Sequence, residues 1–313
     1  MTEPLAPADH ANNPGKRGRF SWVMAPFRRF GAKGDKPAKV HVIQLHGAIM
    51  PSGGGGPFNS GPVLNIDGLE EGIEAAFKPL KNKPGALAAI ALNINCPGGS
   101  PVQSSLITGR IRQLADQHQV PVLAYVQDVA ASGGYWLASA ADEIIADPSS
   151  IVGSIGVISA GFGFTGTLDK LGVERRLHTA GANKSRLDSF SPEKPEDVDW
   201  LLSMQSKLHE TFREQVLARR GEKLVGNEDE LMNGEVWLGK EAVELGLVDA
   251  IGSMHADLRA RFGDKVKIKR FGVKKKGLLS GLPFVGDSSW SAQLADGLVA
   301  SIERRAMWSR FGL

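Results

Sequence analysis

The feature that most narrows the fold is an alternation of β-branched, apolar runs with stretches of helical spacing. VHVIQLHGAI (residues 40–49) alternates as a strand does, and ALAAIALNIN (residues 86–95) is a continuous apolar run of the kind found in buried strands. PVLAYVQD (residues 121–128) and EIIAD (residues 143–147) read as two further strands. Residues 64–80 carry apolar Leu64, Leu69, Ile73, Ala76, Phe77 and Leu80 at helical spacing. Residues 104–118 do the same through Leu106, Ile107, Ile111 and Leu114, and residues 129–141 read as a helix after a glycine turn. Strand, helix, strand, helix predicts an α/β fold with a largely parallel sheet. Residues 195–220 form a long amphipathic helix, whereas residues 150–190 are rich in turns.

Composition matters mainly for what it excludes. A single cysteine, Cys96, rules out an intrachain disulfide and a zinc site built from several cysteines. A net charge of +3 is too small to imply a nucleic-acid partner. No apolar run reaches 18 residues and the N-terminus has no secretory pattern, so a cytoplasmic protein is expected. Residues 16–39 hold eight basic residues against Asp35 alone, interleaved with Phe20, Trp22, Phe27 and Phe30. That mixture suits peripheral contact with an anionic membrane, and equally a solvated basic tail. Three regions are expected: an N-terminal segment (1–39), a main domain (40–255) and a basic, aromatic C-terminal extension (256–313).

Two glycine turns follow predicted strands. In ASGGYWLASAAD (residues 131–142) a serine sits at a strand-to-helix turn, with Gly133 next to it. Such a turn exposes the Ser132 hydroxyl and aims the following amide at a developing oxyanion. CPGGSP (residues 96–101) is a second such turn, and Gly98 or Gly99 can supply a second amide there. In a parallel sheet both turns open at the same carboxyl edge, where ligands bind. The base is open at this level. His178 is the histidine nearest a glycine-containing segment after the serine, and Lys184 lies in a loop of small residues, where burial would lower an ammonium pKa.

The segments NINCPGGSP, VAASGGYWLASAADEIIADPSSIVGSIGVI, KLGVERRLHTAGANKSRLDSFSP and GEVWLGKEAVELGLVDAIG together resemble the signal peptide peptidase A family, in order and over about residues 40–255. The resemblance implies a Clp protease/crotonase-like fold: repeated β-β-α units, a mostly parallel sheet and amphipathic helical extensions. It implies a serine endopeptidase acting on signal peptides or other short peptides through an acyl-enzyme, with no cofactor. Ser132 would be the nucleophile, Lys184 the general base and Ser154 the residue that orients the lysine amine. Gly133, with Gly98 or Gly99, would form the oxyanion hole. It further implies a ring-like homo-oligomer, in which serine and lysine can come from neighbouring subunits. Cys96 stands where the family commonly has serine. The alternative on the same fold is a crotonase-like acyl-CoA enzyme or an inactive binding scaffold, which would not need the Ser132, Ser154 and Lys184 set. A Clp-type histidine is missing, since position 157 is Val157.

Overall fold

A computed structural model describes residues 37–51, 63–273 and 305–312. The basic, aromatic stretch expected to meet a membrane lies outside the described residues, apart from its last three positions.

The chain runs β1 (Lys39–His46), β2 (Ala48–Ile49), β3 (Val63–Leu64), α1 (Ile66–Asn82), β4 (Ala89–Cys96), α2 (Pro101–His118), β5 (Val122–Ala131), α3 (Gly133–Ala138), β6 (Glu143–Ala146) and β7 (Ile151–Gly153). It continues through α4 (Thr165–Leu171), α5 (Pro195–Arg220), α6 (Glu228–Leu231), β8 (Val236–Leu238), α7 (Gly239–Glu244), β9 (Ala250–Ile251), α8 (Met254–Phe262) and β10 (Lys267–Phe271). One sheet has the order β10-β1-β4-β5-β6-β9, with β7 paired to the second half of β5 and β8 to β7. Every pairing in it is parallel except β7 with β8. The mostly parallel α/β architecture expected from the alternation is therefore present.

Residue parity on the strands sorts the two faces. Ile43, Leu45, Ile90, Leu92, Ile94 and Cys96 point to the front, where they pack with Leu69, Ile73 and Phe77 of α1 and Ile107 and Ile111 of α2. Each such side chain stabilises the fold by about 1.5–3 kcal/mol when taken out of water. Val40, Val42, Ala89, Ala91, Leu123, Tyr125 and Ile145 point to the back, against Leu258 and Phe262 of α8. Asn65 caps α1 by accepting from Gly68 N–H, and Ser100 caps α2 in the same way with Pro101 at its first turn.

Three boundaries differ from expectation. The strand ending at 128 continues to Ala131, and the helix expected from 129 begins at Gly133. The reason is β7, a three-residue strand inside the turn-rich stretch, which pairs with Val129–Ala131 and holds them extended. The run 40–49 is broken at Gly47, whose φ of 112° separates β1 from β2. The boundary expected at 255 falls inside the sheet domain: α8 covers the back face and β10 pairs along β1.

A different behaviour sets in after β7. No residue from Gly156 to Glu196 is buried. This stretch and the first half of α5 expose Ile158 (70%), Phe162 (81%), Leu171 (69%) and Leu202 (56%), whereas Phe212 and Val216 in the second half are buried. The segment projects from the body as an arm with apolar side chains on its surface. His209 Nε2 lies 3.0 Å from Ile155 O and 2.6 Å from Met232 O, tying the arm's root to the core.

Candidate active site

β5 and β7 end side by side at the carboxyl edge, with Ala131 opposite Gly153. The next residue on each is a serine, and both serines have positive φ: 52° at Ser132 and 51° at Ser154. A non-glycine residue in such a conformation costs about 1–3 kcal/mol and persists only where its surroundings impose it. For Ser132 they do. Its N–H donates to Gly153 O at 2.8 Å, and its carbonyl accepts from Tyr135 N (2.9 Å) and Trp136 N (3.0 Å) of α3. Ser154, 5% exposed, is held by its N–H donating to Glu235 O at 2.6 Å.

The glycines next to Ser132 are required by space. A Cβ on Gly134 would overlap Cys96 O, and one on Gly133 would fall 2.5 Å from Ser104 Oγ. Across the site, a Cβ on Gly98 would lie 2.7 Å from Ser132 Cβ and 3.0 Å from Gly133 N. The two glycine turns therefore meet, Gly98–Gly99 against Ser132–Gly133. Gly98's backbone hydrogen-bonds the Cys96 sulfur, which leaves the Gly99 amide as the donor of that turn. Gly133 opens α3, so its N–H is among those with no partner inside the helix. Two main-chain N–H groups thus lie beside Ser132, an arrangement able to take an oxyanion.

Ser132 opens on a cavity of about 520 Å³. Its apolar walls are Trp136, Val157, Ile158, Leu208 and Phe212, with Met307 of the C-terminal helical turn at its edge. Trp136 stacks on Phe212 at 4.8 Å between ring centroids, so α3 and the root of the arm form one wall.

Lys184 is not brought to this cavity by its own chain. It sits in a tight turn, its N–H donating to Gly181 O at 3.2 Å, on the exposed arm, and it does not line the Ser132 cavity. The buried lysine expected from the sequence is therefore not formed within one chain. His178 is likewise exposed on the arm. The sequence reading missed the pairing of β5 with β7, which places Ser154 beside Ser132. The signal for it was IVG immediately before Ser154, a short β-branched run.

Cys96 is fully buried, and burial pushes its thiol up to about 12, against a smaller lowering by the Gly98 hydrogen bond. It is a packing residue and no nucleophile. In the folded protein Cys96 is expected to resist iodoacetamide at pH 8 and to react once denatured. Stoichiometric labelling of the native protein, read by mass spectrometry, would contradict this.

A serine in an imposed strained conformation, at the head of a helix and beside two free amides on a parallel sheet edge, places the chain in the Clp protease/crotonase-like class. Known sequences agree. The family described as "Peptidase family S49" matches residues 115–269. A Brucella abortus protein named "Na(+)/H(+) antiporter NhaA" is 48% identical over 293 residues, which is 91% of this chain and 38% of that protein. "Serine protease SPPA, chloroplastic" of Arabidopsis thaliana is 32% identical over 66% of this chain and 30% of its own length. "Protease 4" of Haemophilus influenzae is 32% identical over 70% of this chain and 34% of its own. The chain belongs to the signal peptide peptidase A family, peptidase family S49. It spans about a third of the length of these relatives. Among the described residues no helix is long and apolar enough to cross a membrane.

Proposed function

We propose that the chain is a serine endopeptidase in which Ser132 attacks a peptide carbonyl and Lys184 of a neighbouring copy serves as general base. The observation that carries the first half is Ser132 itself, strained at the head of α3 between the amides of Gly133 and Gly99. The alkoxide adds to the carbonyl and the two amides take the tetrahedral oxyanion. One such donor is typically worth about 3–4 kcal/mol. The lysine amine accepts the serine proton, returns it to the leaving amine, and water releases the acyl group.

The exposed arm supports the second half. Ile158, Phe162 and Leu171 lie on the segment that carries Lys184, and an apolar surface of this kind marks a protein contact. Burial of the arm against a neighbour would also desolvate Lys184, which is what a neutral amine needs. A head-to-tail contact gives a ring where its rotation closes and a filament where it does not; the assembly we propose is the closed form, a ring-like homo-oligomer. Ser154, level with Ser132 on the adjacent strand, is placed to orient the incoming amine. The apolar cavity suits apolar peptide segments such as those of signal peptides.

A fluorophosphonate probe tests the nucleophile directly. Labelling of the parent at Ser132, and none of Ser132→Ala, is expected. An unlabelled parent that instead binds an acyl-CoA saturably would move the assignment to the crotonase-like alternative.

A further inference from the structure

The back of the sheet holds a second, larger cavity of about 730 Å³ that the proposed chemistry leaves unused. It arises because α8 covers only the amino-terminal half of that face. Up to Val42, Ala91 and Tyr125 the back-facing residues are buried and packed on α8. Beyond them the same parity yields Gln44 and His46 on β1, Asn93 on β4 and Gln127 on β5, all lining the cavity. Between Ile94↔Val126 and Cys96↔Ala130, β4 advances two residues and β5 four. This bulge pushes Gln127 and Asp128 out of the sheet at the point where β5 changes partner from β6 to β7.

The floor is polar and carries no carboxylate or ammonium. Asn93 is 5% exposed, and its Nδ2 donates to Gln44 Oε1 (2.9 Å) and His46 Nε2 (3.0 Å). Its Oδ1 has no donor among the described residues. Desolvation lowers the His46 pKa, opposed in part by Asp128, so the ring is neutral. With Asn93 Nδ2 donating to Nε2, the ring proton lies on Nδ1, which has no hydrogen-bond partner among the described residues. Asn93 and His46 both line the cavity, where a ligand can bond these groups in place of water. The rim is charged. Arg270 makes no ion pair among the described residues, and its side-chain hydrogen bond there is to His255 Nε2, at 3.3 Å. Asp128, steadied by Asn95 Nδ2 at 2.6 Å, and Asp147 supply two carboxylates.

We propose that this cavity is a second binding site, for a short peptide with both ends free: Arg270 takes the carboxylate, Asp128 and Asp147 take the ammonium, and Gln44, Asn93 and His46 bond the peptide groups between. Its donor and acceptor set matches a peptide bond, which offers one N–H and one C=O. The two aspartates against one arginine disfavour a phosphate dianion. The inference uses the peptidase reading only for a source of such peptides, since binding does not depend on hydrolysis.

The test is calorimetric titration of full-length Ser132→Ala with trialanine, N-acetyl-trialanine and trialanine amide. Blocking either end is expected to weaken binding by about tenfold or more, as loss of one charge partner does. Arg270→Ala and Asp128→Asn, both on exposed side chains, are expected to weaken trialanine binding as much while leaving the melting temperature and the fluorophosphonate labelling of Ser132 in the parent background unchanged. Equal binding of the blocked peptides, unchanged affinity in both variants, or no binding at millimolar peptide would each overturn the site. So would competition by inorganic phosphate, or loss of trialanine binding when the parent is labelled at Ser132, which would locate the peptide at the front cavity.

Discussion

Ser132→Ala and Lys184→Ala are each expected to reduce peptide hydrolysis by at least about 10⁴-fold, the scale seen when a nucleophile or its base is removed. Neither change touches the core. Ser132 already sits at the head of α3 with no side-chain cap bond, and Lys184 is exposed on the arm. Circular dichroism and melting temperature should therefore match the parent. Mixing the two inactive proteins separates the proposed arrangement from an ordinary intrachain dyad. If the amine comes from a neighbour, a Lys184→Ala subunit presents an intact Ser132 to the intact lysine of a Ser132→Ala subunit. Random co-assembly at equal amounts then restores roughly a quarter of the parental activity, because one neighbour order in four is productive in a head-to-tail ring. Co-refolding followed by peptide hydrolysis, with size-exclusion to confirm mixed rings, reads this. A mixture as inactive as its components, in rings shown to be mixed, would place both groups in one chain.

Much of this was legible in the sequence because it depends on local rules. The strands show as β-branched runs, and the helices keep their period through Ile107 and Ile111 or Ile73 and Phe77. The two glycine turns were visible as Ser-Gly-Gly and Pro-Gly-Gly. That the glycines are obligatory, with Gly134 against Cys96 O and Gly98 against Ser132 Cβ, is a matter of contacts between strands, which no local pattern encodes. The same holds for β7, only three residues long, whose extended form comes from β5 and β8. It holds too for β10, which a run of lysines and arginines disguised as a tail. The back cavity was unreadable for another reason. Gln44, His46 and Asn93 look like ordinary polar positions until the parity of three neighbouring strands places them on one face. Lys184 is the opposite case: its motif was recognisable, but in the folded chain it is exposed on the arm, away from Ser132's cavity.

Asp249→Ala is expected to be the most damaging single change outside the active site, at about 3–5 kcal/mol, because it leaves a buried charge alone. Arg220 closes α5 and is 1% exposed. Its Nη1 meets Asp249 Oδ2 at 2.6 Å and its Nη2 meets Gly246 O at 2.5 Å, whereas Nε finds no acceptor among the described residues. Asp249 is better provided for: Lys223 Nζ and Ile144 N–H also donate to it, each at 2.7 Å. Losing the aspartate thus strands the arginine, while Arg220→Ala leaves an aspartate that still has two donors and costs less. A volume-matched pair, Arg220→Met with Asp249→Leu, should recover much of the loss, since apolar replacements avoid desolvating two ions. Burial alone would raise the Asp249 pKa, but Arg220 and the hydrogen bonds from Lys223, Arg220 and Ile144 hold it below the usual carboxylate value. A depressed folded-state pKa contributes stability above the unfolded value, about 3.9, and that stability is lost as pH falls through the folded one. The gap between parent and Asp249→Ala, read as urea midpoints at fixed protein concentration, should therefore be widest at neutral pH and narrow below about pH 4. A gap independent of pH, or an arginine variant weaker than the aspartate one, would mean that this ion pair does not anchor α5 to the sheet.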